Sequence, residues 1–329
     1  MRGIHFGSYW MGENDVVFLM AHELAQLCDL KIVDPGIYDG SGPGNWYRED
    51  GRVNPKNPVK WLDHERVLSI VHEHRADFVI VNSGGLSLDP ETIRLLRKEQ
   101  VTCIGISLSD PDVFPYHGRI YAHLYDLYYT NSAFSLENQY GKSGTGSHDV
   151  HIHHLPFAAS PRLHRPLPEV EKKFDLVIVG HARPDRIKIV EALERRFSVG
   201  LFGKGWGSGI LPVHGEDHVR AINSGRMYLS FSQTGAGYTN VKVGIFEAAA
   251  CRTLLISQVF PEMEQYFRYG LELAGYLRAS ELPQIISWYR EKEHLRAWMA
   301  QNSYQRCLAE HTWQSRWQRV LDDIVHSRN

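Results

Sequence analysis

The chain is predicted to fold as α/β, in two Rossmann-like domains, each a parallel sheet with helices on both faces. Three observations carry this reading. Strand-length apolar runs alternate with helix-length stretches in both halves. Several runs, such as FVIV (78–81) and LVIV (176–179), are apolar at every position, as strands covered on both faces require. The length of 329 residues, with 43% hydrophobic and 22% charged residues, suits two globular domains of ordinary size.

In the first half, residues 2–7 (RGIHFG) read as a strand ending in glycine, followed by a helix over roughly 14–27. KIVDPG (31–36) is the next strand. Residues 36–60 are rich in Gly, Pro, Asn and charge and read as a long surface loop. A helix over about 62–74 leads to the strand ADFVIVNSG, and a helix at 90–99 to the strand VTCIGISLSD. The aromatic stretch 116–126 reads as helical, DLYYTN as a strand, SAFSLENQYG as a helix and VHIHHLPF as a closing strand.

A Pro-rich bridge at 156–168 opens the second half. There FDLVIVG (174–180), FSVGLFG (197–203), RMYLSFS, RTLLISQ and ELAGYLRA read as strands. The helices between them run to about 196, over 214–225 and over about 241–250. PEMEQYFRYG forms a short helix, and two helices follow at 281–290 and 292–309. The terminal HTWQSRWQRVLDDIVHS is amphipathic, with Trp313, Trp317, Val320 and Leu321 at helical spacing. The expected division is residues 1–165, 166–310 and a terminal helix at 311–329 crossing between the domains.

Composition narrows function. With 36 basic and 38 acidic residues the formal charge is -2, unlike the basic bias of nucleic-acid binders. The start MRGIHFGSYWM is short and polar for a signal peptide, and no apolar run reaches membrane-spanning length. Cys28, Cys103, Cys251 and Cys307 are far apart and read as small core residues of a reduced, cytoplasmic protein. His151, His153 and His154 invite a metal reading, but on a strand His154 points away from the other two, so no metal site is expected. The first strand is followed by GSYWMG where a dinucleotide fingerprint would read GxGxxG, which disfavours a dehydrogenase.

The stretch SFSQTGAGYTNVKVGIFEAAAC (230–251) is the most informative. A glycine-bearing loop runs into a helix expected to begin near Asn240, whose N-terminal N–H groups suit an anion. Lys242 adds a charge, and Glu247 is the one acid of the helix. Two other loops follow apolar strands. One carries His181, Arg183 and Arg186, and the other, GKGWG, carries Lys204 and Trp206. Arginine forks and lysine charges suit phosphate oxygens. For Glu13, Asp15 and His22 both structural roles and general-base chemistry are open on the residues alone; Asp110 and Asp112 sit at a strand end where turn capping explains them, and His117 is open between a structural role and contact with a sugar.

The runs DLVIVGHARPDR, VGLFGKGW, VHGEDHVRAINSGRMYLSFSQTGAGYTNVKVGIFEAAAC and CLAEHTWQSRW resemble glycosyltransferases of the two-domain GT-B architecture. More narrowly, they resemble the spore-maturation-protein-like group, whose C-terminal region is related to retaining enzymes. The resemblance covers about 174–325. It implies a C-terminal domain that binds a UDP- or GDP-sugar and an N-terminal domain that receives a hydroxyl acceptor. By resemblance, Glu247 hydrogen-bonds the donor ribose. Arg183, Arg186 and Lys204 serve the diphosphate, together with the N–H groups of Asn240, Val241 and Lys242 and the following residue. Related retaining enzymes often carry another Glu eight residues before the ribose-binding one. Here that position is Thr239, so Tyr238, Thr239 and Asn240 are the candidates for sugar contact. Glu13, Asp15 and His117 are the candidate catalytic residues of the N-terminal wall. The expected activity is metal-independent hexose transfer with retention, and no cofactor is implied. A nucleotide-sugar epimerase and a non-catalytic nucleotide-sugar sensor are the alternatives.

Overall fold

A computed structural model describes residues 1–7, 16–34, 64–82, 88–115, 118–141 and 151–328. The chain divides into two compact units, Met1–Pro156 with Trp313–Asn329, and Phe157–Thr312.

The first unit runs β1 (Arg2–Phe6), α1 (Val16–Leu24), β2 (Asp29–Val33), α2 (His64–His74), β3 (Phe78–Asn82), α3 (Pro90–Lys98), β4 (Thr102–Ser107), α4 (Gly118–Tyr121), β5 (Leu127–Thr130) and β6 (His151–His154). Its six strands are all parallel, in the order β2-β1-β3-β4-β5-β6. Strands β3 and β4 are buried at every residue, which is why their central residues, Phe78–Val81 and Cys103–Ile106, carry no polar side chain that alternates with the apolar ones. Asp89 caps α3 by accepting the N–H groups of Glu91 and Thr92, with Pro90 in the first turn. SAFSLENQYG forms a π-helical turn at Ser135–Tyr140. The C-terminal helix Trp313–Ser327 packs on this unit. Buried Trp317 donates its indole N–H to the Met20 carbonyl at 2.7 Å, and the Tyr129 hydroxyl donates to Asp323 at 2.7 Å.

The second unit runs β7 (Phe174–Val179), α5 (Pro184–Glu194), β8 (Val199–Phe202), α6 (Gly215–Asn223), β9 (Gly225–Ser230), α7 (Val243–Ala250), β10 (Leu254–Gln258), β11 (Leu273–Tyr276), α8 (Leu282–Glu291) and α9 (Glu293–Glu310). Its five strands are again parallel, ordered β11-β10-β9-β7-β8. The chain steps from β7 outward to β8 and then back across to β9. The strand order therefore reverses around β7, and the carboxyl ends of β7 and β9 flank a topological switch point, where open α/β sheets bind ligands.

Helix α7 starts three residues later than the sequence suggests, at Val243 rather than near Asn240. The reason is local. The Asn240 N–H donates to the Ser232 carbonyl at 2.9 Å, Val241 is buried, and Lys242 keeps an extended ψ of 150°. Cys103, Cys251 and Cys307 are buried, while Cys28 is half-buried.

Candidate functional site

The loops after β7, β8 and β9 emerge side by side from the carboxyl edge of the second sheet. They are tied together by backbone contacts. Gly180 donates its N–H to the Phe202 carbonyl at 2.8 Å, and Ala182 donates to the Lys204 carbonyl at 2.9 Å. The Gly180 carbonyl accepts the indole N–H of Trp206 at 2.7 Å. Trp206 thus serves as a half-buried brace between two loops, against the apolar layer that includes Ile178 and Leu201.

Two guanidinium groups from the β7 loop meet the β9 loop. Arg183 donates to the Gln233 carbonyl at 3.2 Å and makes a two-armed contact with Asp185 at 3.1 and 2.9 Å. Arg186 donates to the His181 carbonyl at 2.9 Å and to the same Gln233 carbonyl at 3.4 Å, while lying over the Phe231 ring at 5.3 Å. Burial, and then repulsion from Arg183, disfavours the charged form of Arg186, so an anion placed here would relieve both effects. The loop itself is held in shape by Thr234, whose N–H donates to the Tyr238 carbonyl at 2.7 Å and whose hydroxyl accepts the Tyr238 N–H at 3.1 Å.

Helix α7, which follows this loop, is buried from Gly244 to Ala250. Glu247 is its only charged residue, and a carboxylate in such a helix needs partners. It finds two histidines. His218 on α6 lies 3.0 Å from one carboxylate oxygen, and His164 lies 3.5 Å from the other. The two rings meet edge-on at 6.0 Å. His164 arrives because its segment is fastened to α6. The Asn223 side chain bonds the Arg165 carbonyl and the Leu167 N–H, and Arg165 pairs with Glu216 at 2.8 Å.

Burial alone would raise the Glu247 carboxyl. The His218 and His164 interactions outweigh it and hold the group down at about 2. Burial pulls His218 down, but the Glu247 charge and hydrogen bond win and raise it. Burial dominates at His164 and takes it down to about 4. At neutral pH the arrangement is therefore an ionised Glu247 and a neutral His164, with the carboxylate favouring the protonated form of His218.

The three side chains could also be taken for a metal site, since one ligand atom of each lies within 4.8 Å of the others. The hydrogen bonding argues otherwise. The Ser160 N–H donates to Nδ1 of His164 at 3.2 Å. Nδ1 is then the unprotonated nitrogen of the neutral ring, and Nε2, which faces Glu247, carries the proton. A proton occupies the position that a metal would need.

The other expected residues fall as follows. Lys204 is exposed on the β8 loop, and Lys242 is half-buried at the start of α7. Tyr238 and Thr239 are half-buried on the β9 loop, with Thr239 bridged to Gln233, and Val241 is buried beside them. Asn240 is buried, and its N–H, expected at a diphosphate, is instead committed to Ser232. Glu13, Asp15 and His117 lie outside the described residues. His22 stacks against Phe18 with ring centroids 4.0 Å apart, and Asp110 is buried, accepting the Thr130 and Tyr140 hydroxyls. His153 of the strand trio stacks on Tyr129 at 5.3 Å. Sequence reasoning missed His164 and His218. The requirement that an acid on a buried helix have partners was visible, but not which residues supply them.

Residues 183–322 match a family model described as glycosyl transferase-like. The whole chain also superposes on GT-B enzymes. Sucrose-phosphate synthase from Thermosynechococcus elongatus aligns with a TM-score of 0.67 at 10% identity, covering 100% of both chains. The chain has the GT-B fold. A glycosyltransferase from Rickettsia africae aligns with a TM-score of 0.63 at 11% identity, over 100% of this chain and 98% of that one. HepE from Anabaena, solved in complex with UDP and glucose, aligns with a TM-score of 0.60 at 11% identity, over 99% of this chain and 100% of that one. No curated protein sequence matches the chain. Among the described residues no helix is long and apolar enough to cross a membrane.

Proposed function

We propose that this GT-B chain transfers a hexose from a nucleoside-diphosphate sugar to a hydroxyl acceptor, with the donor held by the second unit. The observation that carries the reading is the meeting of Arg183 and Arg186 with the Gln233 loop at the sheet's switch point, one loop before the helix bearing Glu247. Arg183 and Arg186 would exchange a shared carbonyl for diphosphate oxygens and stabilise charge on the leaving nucleotide. Lys204, Lys242 and the first N–H groups of α7 would add to that stabilisation. Glu247, ionised and oriented by His218, would accept the ribose hydroxyls with its remaining lone pairs. Tyr238, Thr239 and Asn240 are assigned to the sugar.

The UDP and UDP-glucose complexes of HepE favour a uridine donor over a guanosine one. Thr239 supplies no carboxylate near the sugar, so the reading of retention rests on the departing phosphate deprotonating the acceptor. Glu13 and Asp15 remain the candidates for a protein base, and His117 for contact with the donor sugar. Arginine, lysine and helix N–H groups supply the positive charge that a metal would otherwise bring.

Glu247→Gln provides the test. Calorimetry with UDP should show binding weaker by about 1.5–3 kcal/mol, the cost of a lost charged hydrogen bond, with circular dichroism unchanged. Unchanged affinity in a folded variant removes Glu247 from the site. NMR of the anomeric product decides retention, and assay in chelator decides metal independence.

A further inference from the structure

The second sheet has another edge, at the amino ends of its strands, and it carries unusual charge. Lys172 lies just before β7, Arg226 at the start of β9, and Arg252 between α7 and β10. With Arg296 of α9 they line a cavity of about 460 Å³, whose lining includes one acid, Glu293. Elsewhere in this unit arginines pair with carboxylates, as Arg165 does with Glu216, Arg268 with Glu272 and Arg306 with Glu310. None of the four cavity cations has an ion pair among the described residues. Their hydrogen bonds go to neutral acceptors. Arg226 donates to the Lys172 carbonyl at 2.6 Å, Arg296 to the Tyr289 and Arg290 carbonyls at 2.7 and 3.1 Å, and Arg252 to the Gln301 side chain at 3.5 Å.

The charges act on one another. Lys172 is exposed along its chain, but partial desolvation of its ammonium first, and repulsion from Arg252, Arg296 and Arg226 after it, bring it down to about 8. A cavity lined by four cations and one acid concentrates positive potential on whatever enters it.

Helix α7 ends with the Arg252 N–H on the Ala249 carbonyl and the Thr253 N–H on the Ala248 carbonyl, and Arg252 takes φ of +53° in the turn that follows, as Arg75 does after α2 and Gln100 after α3. A glycine would be unstrained there.

We propose that this cavity binds a phosphate-bearing anion, on the edge of the second sheet opposite the candidate donor loops. Three guanidinium forks and an ammonium match several phosphate oxygens at once. The volume exceeds that of orthophosphate and suits a diphosphate or the phosphate of a larger molecule. The site is independent of the proposed transferase reading.

The test is calorimetry with inorganic pyrophosphate at fixed ionic strength. The wild-type chain should bind it. Arg226→Gln/Arg252→Gln should weaken binding about a hundredfold or more, since each of the two lost charged hydrogen bonds exceeds a factor of ten. Arg183→Gln/Arg186→Gln should leave this binding in place, which separates it from the donor site. Co-sedimentation with phosphatidic-acid vesicles names the source: a headgroup if the wild type sediments and the Arg226/Arg252 variant does not, a soluble phosphate if only pyrophosphate binds. Arg252→Gly guards against misfolding, because it should melt at or above the wild-type temperature and still bind more weakly. Absence of binding to both probes, or Arg226/Arg252 and Arg252→Gly variants that bind as the wild type does, would overturn the proposal.

Discussion

Glu247 is the only charge on a helix buried on every side, and His218 lets it stay charged there. Removing the imidazole leaves burial as the main influence on the carboxyl, and burial raises it. In the wild-type chain the carboxyl sits at about 2, so its ionisation is constant from pH 4 to 7. We expect His218→Ala to weaken UDP binding at pH 7 and to make it weaken further as pH falls, because protonation of Glu247 moves up into that range. His218→Gln, which returns an N–H donor toward Glu247, should recover part of the loss. UDP affinity measured across pH for the three proteins checks this. Curves for His218→Ala and wild type that run parallel would show that His218 does not control the ionisation of Glu247. The role assigned to His218 is positioning, and a purely structural loss would lower affinity without moving its pH dependence.

At the scale of elements, the donor loops depend on how closely β7 and β8 release their chains. Gly203 has φ of +147°, and a Cβ built on it would lie 2.1 Å from the Gly180 carbonyl oxygen. That oxygen also accepts the Trp206 indole, so it cannot retreat without breaking the brace. Gly203→Ala should therefore destabilise the fold by about 2–4 kcal/mol, combining left-handed strain with overpacking. Because Ala182 and Arg183 ride on the same loop, UDP affinity should fall as well. Chemical denaturation and calorimetry measure the two effects, and a variant as stable as wild type would contradict the close approach. The elements themselves were largely legible in the sequence. Strands such as Phe78–Asn82 and Leu254–Gln258 are buried on both faces and so appear as apolar runs, and Asp89-Pro90 marks a helix start by its capping chemistry. The start of α7 was not legible, because what keeps Asn240–Lys242 extended is a bond to Ser232 on the other side of the loop. Within the candidate site, Arg183, Arg186 and Glu247 could be picked out because each follows a strand or loop with a recognisable pattern. His164 and His218 could not, since their meeting with Glu247 depends on Asn223 fastening a distant segment to α6.

For the molecule as a whole, buried histidines set the response to acid. Burial lowers His5 to about 3 and His154 to about 4 in the first unit, and His164 to about 4 in the second. Each has a folded pKa below its unfolded value of 6.5. Between pH 6.5 and about 4 the unfolded chain therefore binds more protons than the native one, and stability falls as pH falls. Each such group contributes a slope of up to about 1.4 kcal/mol per pH unit within that window. Two groups run the other way. His218 is raised, so its contribution is complete below 6.5 and is lost as pH rises through its folded pKa. Asp110 is raised by burial, which adds stability toward acid and offsets part of one histidine's slope. The net expectation is a melting temperature that drops steeply from pH 6.5 to 4 and also declines above 6.5 as His218 loses its proton. Scanning calorimetry across that range tests it, and His164→Asn refines the test. Its side-chain oxygen can still accept the Ser160 N–H, but the residue no longer titrates, so one histidine's share of the slope should disappear. A melting temperature that stays level between pH 6.5 and 4 would mean that these three histidines are protonated in the native fold, and that the neutral His164 facing Glu247 is wrong with them.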